Sequence, residues 1–375
     1  NPAMRKAILD IWLNRDYTKY AQVTGKNNFT PETWSPSDRM VVYMRKSLMS
    51  SMWQLGDTIQ TGTAGEDGDQ VFADERFVQL DPVFSLGVEL PLETSFKMPR
   101  NVAVSNDGTI YVVDSDNNRI ERFSLTGKFL NSWDAKEQGG LNQPWGIAIN
   151  PSDGSVFVAD TWNHRILKFD GEGTFLLSWY ASDPSQPERT FYGPRALVID
   201  SHNRIYITDT GNKQIVVYTT DGKFLTKFGT AGMAEGEFDE PVGLALMGDN
   251  LLAVADTWNQ RVQLFTIEGD TVPVIRFKSA FNVAAWYSQS LDNKPYLAFD
   301  TIGNILITDP ESGLIWLFSQ EGTLLRSWNG AGGDIDRASM PTGITVDSNG
   351  AVWVVDTAGN RVNKFILPAE TVPEE

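Results

Sequence analysis

From residue 76 onward, short apolar runs alternate with polar turns rich in Gly, Asn, Asp and Pro, and the alternation itself repeats. A proline opens each unit, at Pro99, Pro144, Pro194, Pro241, Pro295 and Pro341. An apolar run follows (GIAIN, GLALM), then a polar turn such as Asn106-Asp107-Gly108, then a second run that ends in an Asp. Those acids, Asp114, Asp160, Asp209, Asp256, Asp309 and Asp356, lie 46, 49, 47, 53 and 47 residues apart. A turn, a third run (RILKF, QIVVY, RVQLF), a Gly turn and a fourth run (FLLSW, FLTKF) complete the unit. Runs of this length bounded by turn residues read as strands. Four strands per unit and six units at a near-constant period predict an all-β fold, a six-bladed β-propeller over residues 76–367. Unit six ends at Arg361–Leu367 with no fourth run after it, and an orphan run at Arg76–Val88 precedes unit one. The orphan is expected to supply the missing outer strand and lock the ring, which leaves no long edge exposed.

The pattern before residue 76 is helical. Met4, Ile8, Ile11 and Trp12 recur at helical spacing. Ser35-Pro36-Ser37-Asp38 then supplies an N-cap, a first-turn proline and an acid for a second helix, along which Val41, Met44, Leu48, Met52 and Leu55 share one face. The expected organisation is a two-helix extension at 1–56, a Gly-rich acidic linker at 57–75, the propeller, and a tail at 368–375. No apolar run approaches the ~20 residues needed to cross a bilayer.

Charge and composition narrow the partners. The chain of 375 residues holds 31 Lys/Arg against 48 Asp/Glu, a net charge of −17. Such a field repels phosphate backbones, so no nucleic-acid partner is expected. Residues 1–60 run the other way, with eight basic and five acidic side chains, making a basic head on an acidic body. The absence of cysteine removes disulfides, thiolate metal sites and cysteine nucleophiles together. The chain opens at Asn1-Pro2 with neither an initiator Met nor a signal-peptide apolar region, and reads as a processed product or a part of something longer.

The turn after the second strand is written DSDNNRI, DTWNHRI, DTGNKQI, DTWNQRV, DPESGLI and DTAGNRV in the six units. Asp and Asn at a strand exit bond nearby backbone N–H groups and pin a tight turn. Arg119, Arg165, Arg261 and Arg361, five residues after the Asp, are placed to pair with an acid of their own or an adjacent blade. A device repeated in most blades is structural, since a catalytic constellation is built once. With the Pro-x-Gly-Ile-Ala opening and the Phe-x-x-x-Trp/Phe-Gly close, these units resemble NHL repeats, which implies a propeller serving mostly as a binding platform. Unit five departs: DPESGLIWLF lacks the Asn and the Arg, and residues 270–294 carry extra sequence, so the blade at 270–318 is expected to be irregular. The head is similar to the soluble segment of bacterial flippase-associated, family-39-like membrane glycosyltransferases, some of which carry a C-terminal NHL domain. That resemblance implies an extracytoplasmic location, tethered to the membrane by a membrane-embedded portion in the same or a partner protein. A basic head near lipid headgroups agrees with it.

Propellers of similar shape include zinc-dependent lyases and calcium-dependent lactonases. Only two histidines are present, His164 and His202, in turns that fall on opposite faces, so they cannot share a zinc. No acidic loop has calcium-ligand spacing, and no Ser/His/Asp set, phosphate loop or dinucleotide fingerprint occurs. No catalytic residue, metal or cofactor is therefore expected. The side chains that vary where the repeat is constant are Trp162 and Trp258, third in their turns, and Arg100, Trp145, Arg195 and Tyr296, near the channel mouth on the same face. Rings stack on sugars or apolar peptide side chains and arginines grip carboxylates; the plain alternative is packing on neighbouring loops. The leading expectation is a non-enzymatic propeller that binds a protein or glycan. A metal-dependent lactonase- or lyase-like enzyme, and a self-associating surface-layer or filament subunit, are the alternatives.

Overall fold

The computed structural model of the protein describes residues 76–88, 90–181, 190–283, 286, 293–333 and 338–368. The expected two-helix extension, the linker and all of the tail but Pro368 lie outside the described residues. The described chain forms six four-stranded antiparallel sheets, as the repeat predicts.

In chain order β1 is Phe84–Leu86, and blade one is β2 (Asn101–Val104), β3 (Ile110–Asp114), β4 (Arg119–Phe123) and β5 (Phe129–Trp133). Blade two is β6 (Gly146–Ile149), β7 (Val156–Asp160), β8 (Arg165–Phe169) and β9 (Phe175–Tyr180). Blade three is β10 (Pro194–Ile199), β11 (Arg204–Asp209), β12 (Gln214–Thr219) and β13 (Phe224–Phe228). Blade four is β14 (Pro241–Met247), β15 (Leu251–Asp256), β16 (Arg261–Glu268) and β17 (Val274–Asn282). Blade five is β18 (Leu297–Phe299), β19 (Ile305–Asp309), β20 (Leu314–Phe318) and β21 (Leu324–Asn329). Blade six is β22 (Pro341–Val346), β23 (Val352–Asp356) and β24 (Arg361–Phe365), closed by β1 against β24. First strands of successive blades touch around the ring, and β22 meets β2 to complete it.

Burial explains the wording of each strand. The second strands β3, β7, β11, β15, β19 and β23 are buried along their whole length. Both their faces are covered by flanking blades, so they read as continuous apolar runs. Outer strands such as β5 alternate half-buried and exposed positions, with Leu130 and Ser132 on the open side. Glycine two residues after the opening proline lets blades approach. A Cβ on Gly146 would stand 2.1 Å from the Arg195 carbonyl oxygen, and one on Gly343 would stand 2.4 Å from the Asn101 Cα.

Two expectations are corrected in detail. The orphan run Arg76–Val88 is not one outer strand. Only Phe84–Leu86 pairs with β24, whereas Arg76–Val78 runs parallel to β21 of blade five, Val78 N–H donating to the Ser327 carbonyl at 2.8 Å. Pro82 lies between the two pieces and has no N–H to continue a ladder. The extra sequence at 270–294 does not belong wholly to blade five either. Val274–Asn282 lengthens the outer hairpin of blade four, pairing with β16 out to Glu268–Val274.

Glu121 on β4 is buried beside Arg119 and Asp114. Burial pushes its carboxyl up to about 8, only partly opposed by Arg119, and Asp114 adds to the shift. The folded state therefore holds a proton that the unfolded chain has released, and stability contributed by Glu121 falls as pH rises from about 4.5 to about 8. Glu121→Gln should flatten that dependence and exceed the parent in melting temperature at pH 8; parallel melting curves from pH 5 to pH 8 would refute it.

Candidate functional site

The strand-exit Asp of blades one, two, three, four and six accepts a backbone N–H from the loop that brings the chain into its own blade. In blade two, Asn142 N–H donates to Asp160 Oδ1 at 2.8 Å. Asn163 Nδ2 and Arg165 Nε donate to Asp160 Oδ2 at 2.9 and 2.7 Å. The same Asn and Arg reach back to the loop carbonyls of Gln138 and Gly140. Blade four repeats the set with Asp256, Asn259 and Arg261, and ion pairs Asp114–Arg119 and Asp356–Arg361 recur in blades one and six. All these arginines pair within their own blade. The next residue links blades: Ser115, Thr161, Thr210 and Thr357 donate to the carbonyls of Pro144, Pro194, Pro241 and Pro99. Thr257 lacks such a bond among the described residues, where the irregular fifth blade begins.

This scaffold fixes two sets of side chains on one face. The residues after the opening prolines ring the channel mouth in the order Arg100, Trp145, Arg195, Val242, Tyr296 and Thr342. Arg100 and Arg195, on either side of blade two, lie over the Trp145 indole at 5.0 and 4.2 Å from its centroid. Tyr296 crosses from the opposite side of the ring and donates its hydroxyl to the Trp145 carbonyl at 3.3 Å. Burial pushes that phenol up to about 12, against the pull of Arg195 and Arg100, so it remains a donor at ordinary pH. Trp145, Tyr296 and Arg100 are buried, Arg195 is half-buried, and together they narrow the mouth. Beneath them the channel, lined by the first strands of all six blades, encloses about 280 Å³.

Trp162 and Trp258 stand apart from that plug. They are 48% and 44% exposed, although their turns are fixed by the Asp–Asn–Arg network. Trp162 meets Trp145 edge-on at 6.4 Å, which joins the rim to the mouth. All six residues expected from the sequence thus lie on one face, but only the two turn tryptophans present a large exposed apolar surface.

Sequence reasoning missed four neighbours. Tyr192 and Met233, in the loops before Pro194 and Pro241, are 62% and 68% exposed. Asn293 accepts a hydrogen bond from Arg100 Nη1 at 2.5 Å, and the Lys294 ammonium lies 4.8 Å from the Trp258 centroid. Burial lowers the Lys294 amine to about 7. Its signal was present as the one cation immediately before an opening proline, where other units have Met98, Gln143, Gly193, Glu240 and Met340.

The histidines separate as expected. His164 is half-buried rather than fully exposed, stacked on Tyr192 at 6.0 Å, whereas His202 lies in the turn between β10 and β11. There it joins Asp200 and Asp249, with potential ligand atoms within 4.8 Å of one another. Asp200 already accepts from the backbone N–H groups of His202 and Arg204, from Arg204 Nε at 2.5 Å and from the Tyr206 hydroxyl at 3.2 Å. Its oxygens are engaged in holding the turn.

The fold and site define a closed six-bladed propeller with an aromatic and cationic face. The family model of the NHL repeat matches residues 96–123, 141–169, 191–218, 238–265 and 339–365. The chain is thus a β-propeller of NHL repeats, and the matched segments pass over blade five, whose turn lacks the Asn and the Arg. Protein brain tumor of Drosophila melanogaster is 35% identical over 141 residues, covering 37% of this chain and 12% of the relative. The human E3 ubiquitin-protein ligase TRIM32 is 28% identical over 148 residues, covering 38% of this chain and 22% of the relative. The chain therefore matches far less than two thirds of either protein. A solved gluconolactonase from Xanthomonas campestris shares the fold, with a TM-score of 0.52 and 17% identity over 73% of this chain and 87% of that one.

Proposed function

We propose that this propeller is a non-enzymatic binding module that recognises a protein partner through the face bearing Trp162, Trp258 and the Trp145 mouth. A glycan is the second ligand class that such rings suit. We further propose that the module works outside the cytoplasm as part of a larger membrane-associated protein, on the strength of the basic head at residues 1–60. The observation that carries the binding reading is the exposure of two indoles on turns whose Asp, Asn and Arg side chains bond to one another and tie each turn to the preceding loop. A rigid turn presenting a large ring loses little entropy on binding, which is what an interface anchor requires. The relative with a ligase name acts on proteins, which agrees with a protein partner. The lactonase likeness supports the fold alone, and a divalent cation at the mouth would be repelled by Arg100, Arg195 and Lys294.

Trp162→Ala and Trp258→Ala should each weaken an identified partner by about 10–30-fold in Kd, the range of an interface anchor. The melting temperature should stay near that of the parent, because each ring is half-exposed. Unchanged affinity in both variants, or stoichiometric zinc or calcium retained at the mouth of the purified protein, would overturn this reading. A glycan array run beside the protein partner separates the two ligand classes.

A further inference from the structure

We propose that the channel mouth is a carboxylate seat, and that the partner read by the aromatic rim is an acidic segment of protein. The inference rests on the reading of this face as the binding face and gives that face a ligand chemistry.

On a chain with a net charge of −17, Arg100, Arg195 and Lys294 gather at one mouth. Lys294 is 1% exposed, and its Nζ has no hydrogen-bond partner among the described residues. The repeat does not need a cation there, since the equivalent positions in the other units hold none. A buried ammonium whose hydrogen bonds are unmade is costly to keep, and a bound anion would complete it. Facing the amine are Arg195, which disfavours its charge, and Glu240, Asp239 and Glu311, which favour it. Asp239 is already engaged by the Lys213 ammonium at 2.6 Å. Arg195 is half-buried and within reach from solvent, and Trp145 steadies its guanidinium by the cation–π contact. A carboxylate entering from solvent meets Arg195 first, with Lys294 behind it as the second charge.

The surroundings select the kind of anion. Trp162, Tyr192, Met233 and Trp258 offer an apolar rim, so side chains flanking the carboxylate find apolar contact. The acidic field of the rest of the molecule opposes any anion that extends beyond the mouth, and a polyphosphate chain has no apolar atoms to offset that repulsion against the rim. A peptide with carboxylates spaced by apolar residues matches both features.

The test uses the full chain and two synthetic peptides, Ac-Glu-Leu-Glu-Leu-Glu-amide and its Gln counterpart, titrated by calorimetry at pH 6 and pH 8. The Glu peptide should bind at least tenfold more tightly than the Gln peptide. Its affinity should fall from pH 6 to pH 8, because the neutral amine of Lys294 at the higher pH no longer attracts the anion. Lys294→Met should lower Glu-peptide affinity about tenfold and abolish the pH dependence, with the melting temperature unchanged or raised because a buried amine is removed. Equal binding of the two peptides, no binding of the Glu peptide at millimolar concentration, or an unaltered Lys294→Met variant each overturns the seat. Tighter binding of an oligouridylate that displaces the Glu peptide overturns it in favour of phosphate. The broader reading fails separately: if Trp162→Ala and Trp258→Ala weaken a partner while both peptides bind equally, the binding face stands and the carboxylate seat falls.

Discussion

Asp160→Ala should destabilise the propeller by about 3–5 kcal/mol, the cost of breaking a buried ion pair by removing one partner. The measurement is a lower urea midpoint at an unchanged slope. Asp160 has no exposed surface and accepts from Asn142, Asn163 and Arg165 at once. Its removal leaves the Arg165 guanidinium, 8% exposed, with only the Gln138 and Gly140 carbonyls. It also frees the loop that leads into β6, on which Trp145 sits at the mouth. Arg165→Ala in the same background should cost less than in the parent, because the two side chains act as one unit. Trp162→Ala, two residues along, should move the midpoint by far less, since half of its ring is already in water. The DTWNHR phrase thus divides by experiment into letters that hold the turn and one that is presented by it. An unfolding free energy for Asp160→Ala within about 0.5 kcal/mol of the parent, the usual size of a surface substitution, would refute the structural assignment.

The blades were legible because a propeller strand sees one of a few environments, and each leaves a periodic mark. Second strands covered on both faces read as VFVAD or IYITD, and the polar positions after them repeat because the same three bonds recur in most blades. Trp162 and Trp258 stood out for the same reason, as departures from a fixed frame. What stayed hidden depends on contacts between units. Nothing local announces that Tyr296 crosses the ring to the Trp145 carbonyl, or that Lys294 reaches from blade five to the Trp258 ring of blade four. Residues 270–294 read as one insertion because strand length is poorly fixed by sequence at an outer edge, where half of the positions are solvated. The split of Arg76–Val88 between two blades was encoded by Pro82, but only the ring geometry shows where each half goes. The acidic turn at Asp200, His202 and Asp249 was missed likewise, since its members come from blades three and four.

Loss of the closing strand should have the second large effect. A chain that begins after Gly87 leaves β24 as an open edge at Val362–Lys364, the register now filled by Leu86, Ser85 and Phe84. It also uncovers the cluster of Phe96, Phe123, Trp353 and Val362 on which Leu86 is buried, and removes Phe84 from its edge-on contact with Trp353 at 5.9 Å. Burial of Leu86 alone is worth about 1.5–3 kcal/mol, against a typical total of about 5–15 kcal/mol. An unpaired strand edge invites pairing with another chain. The shortened protein is therefore expected to leave the monomer peak in sedimentation and to form higher assemblies. A peptide covering residues 76–88, added during refolding, should restore a monomer-sized species, because the missing strand contributes through pairing and burial rather than through the covalent link. Leu86→Asp is the milder form of the same experiment, placing a carboxylate in that apolar cluster while keeping the backbone ladder. It should lower the melting temperature without creating an open edge. If the shortened chain remains monomeric with the melting temperature of the parent, the ring is held by the remaining interblade contacts, and closure by β1 contributes little.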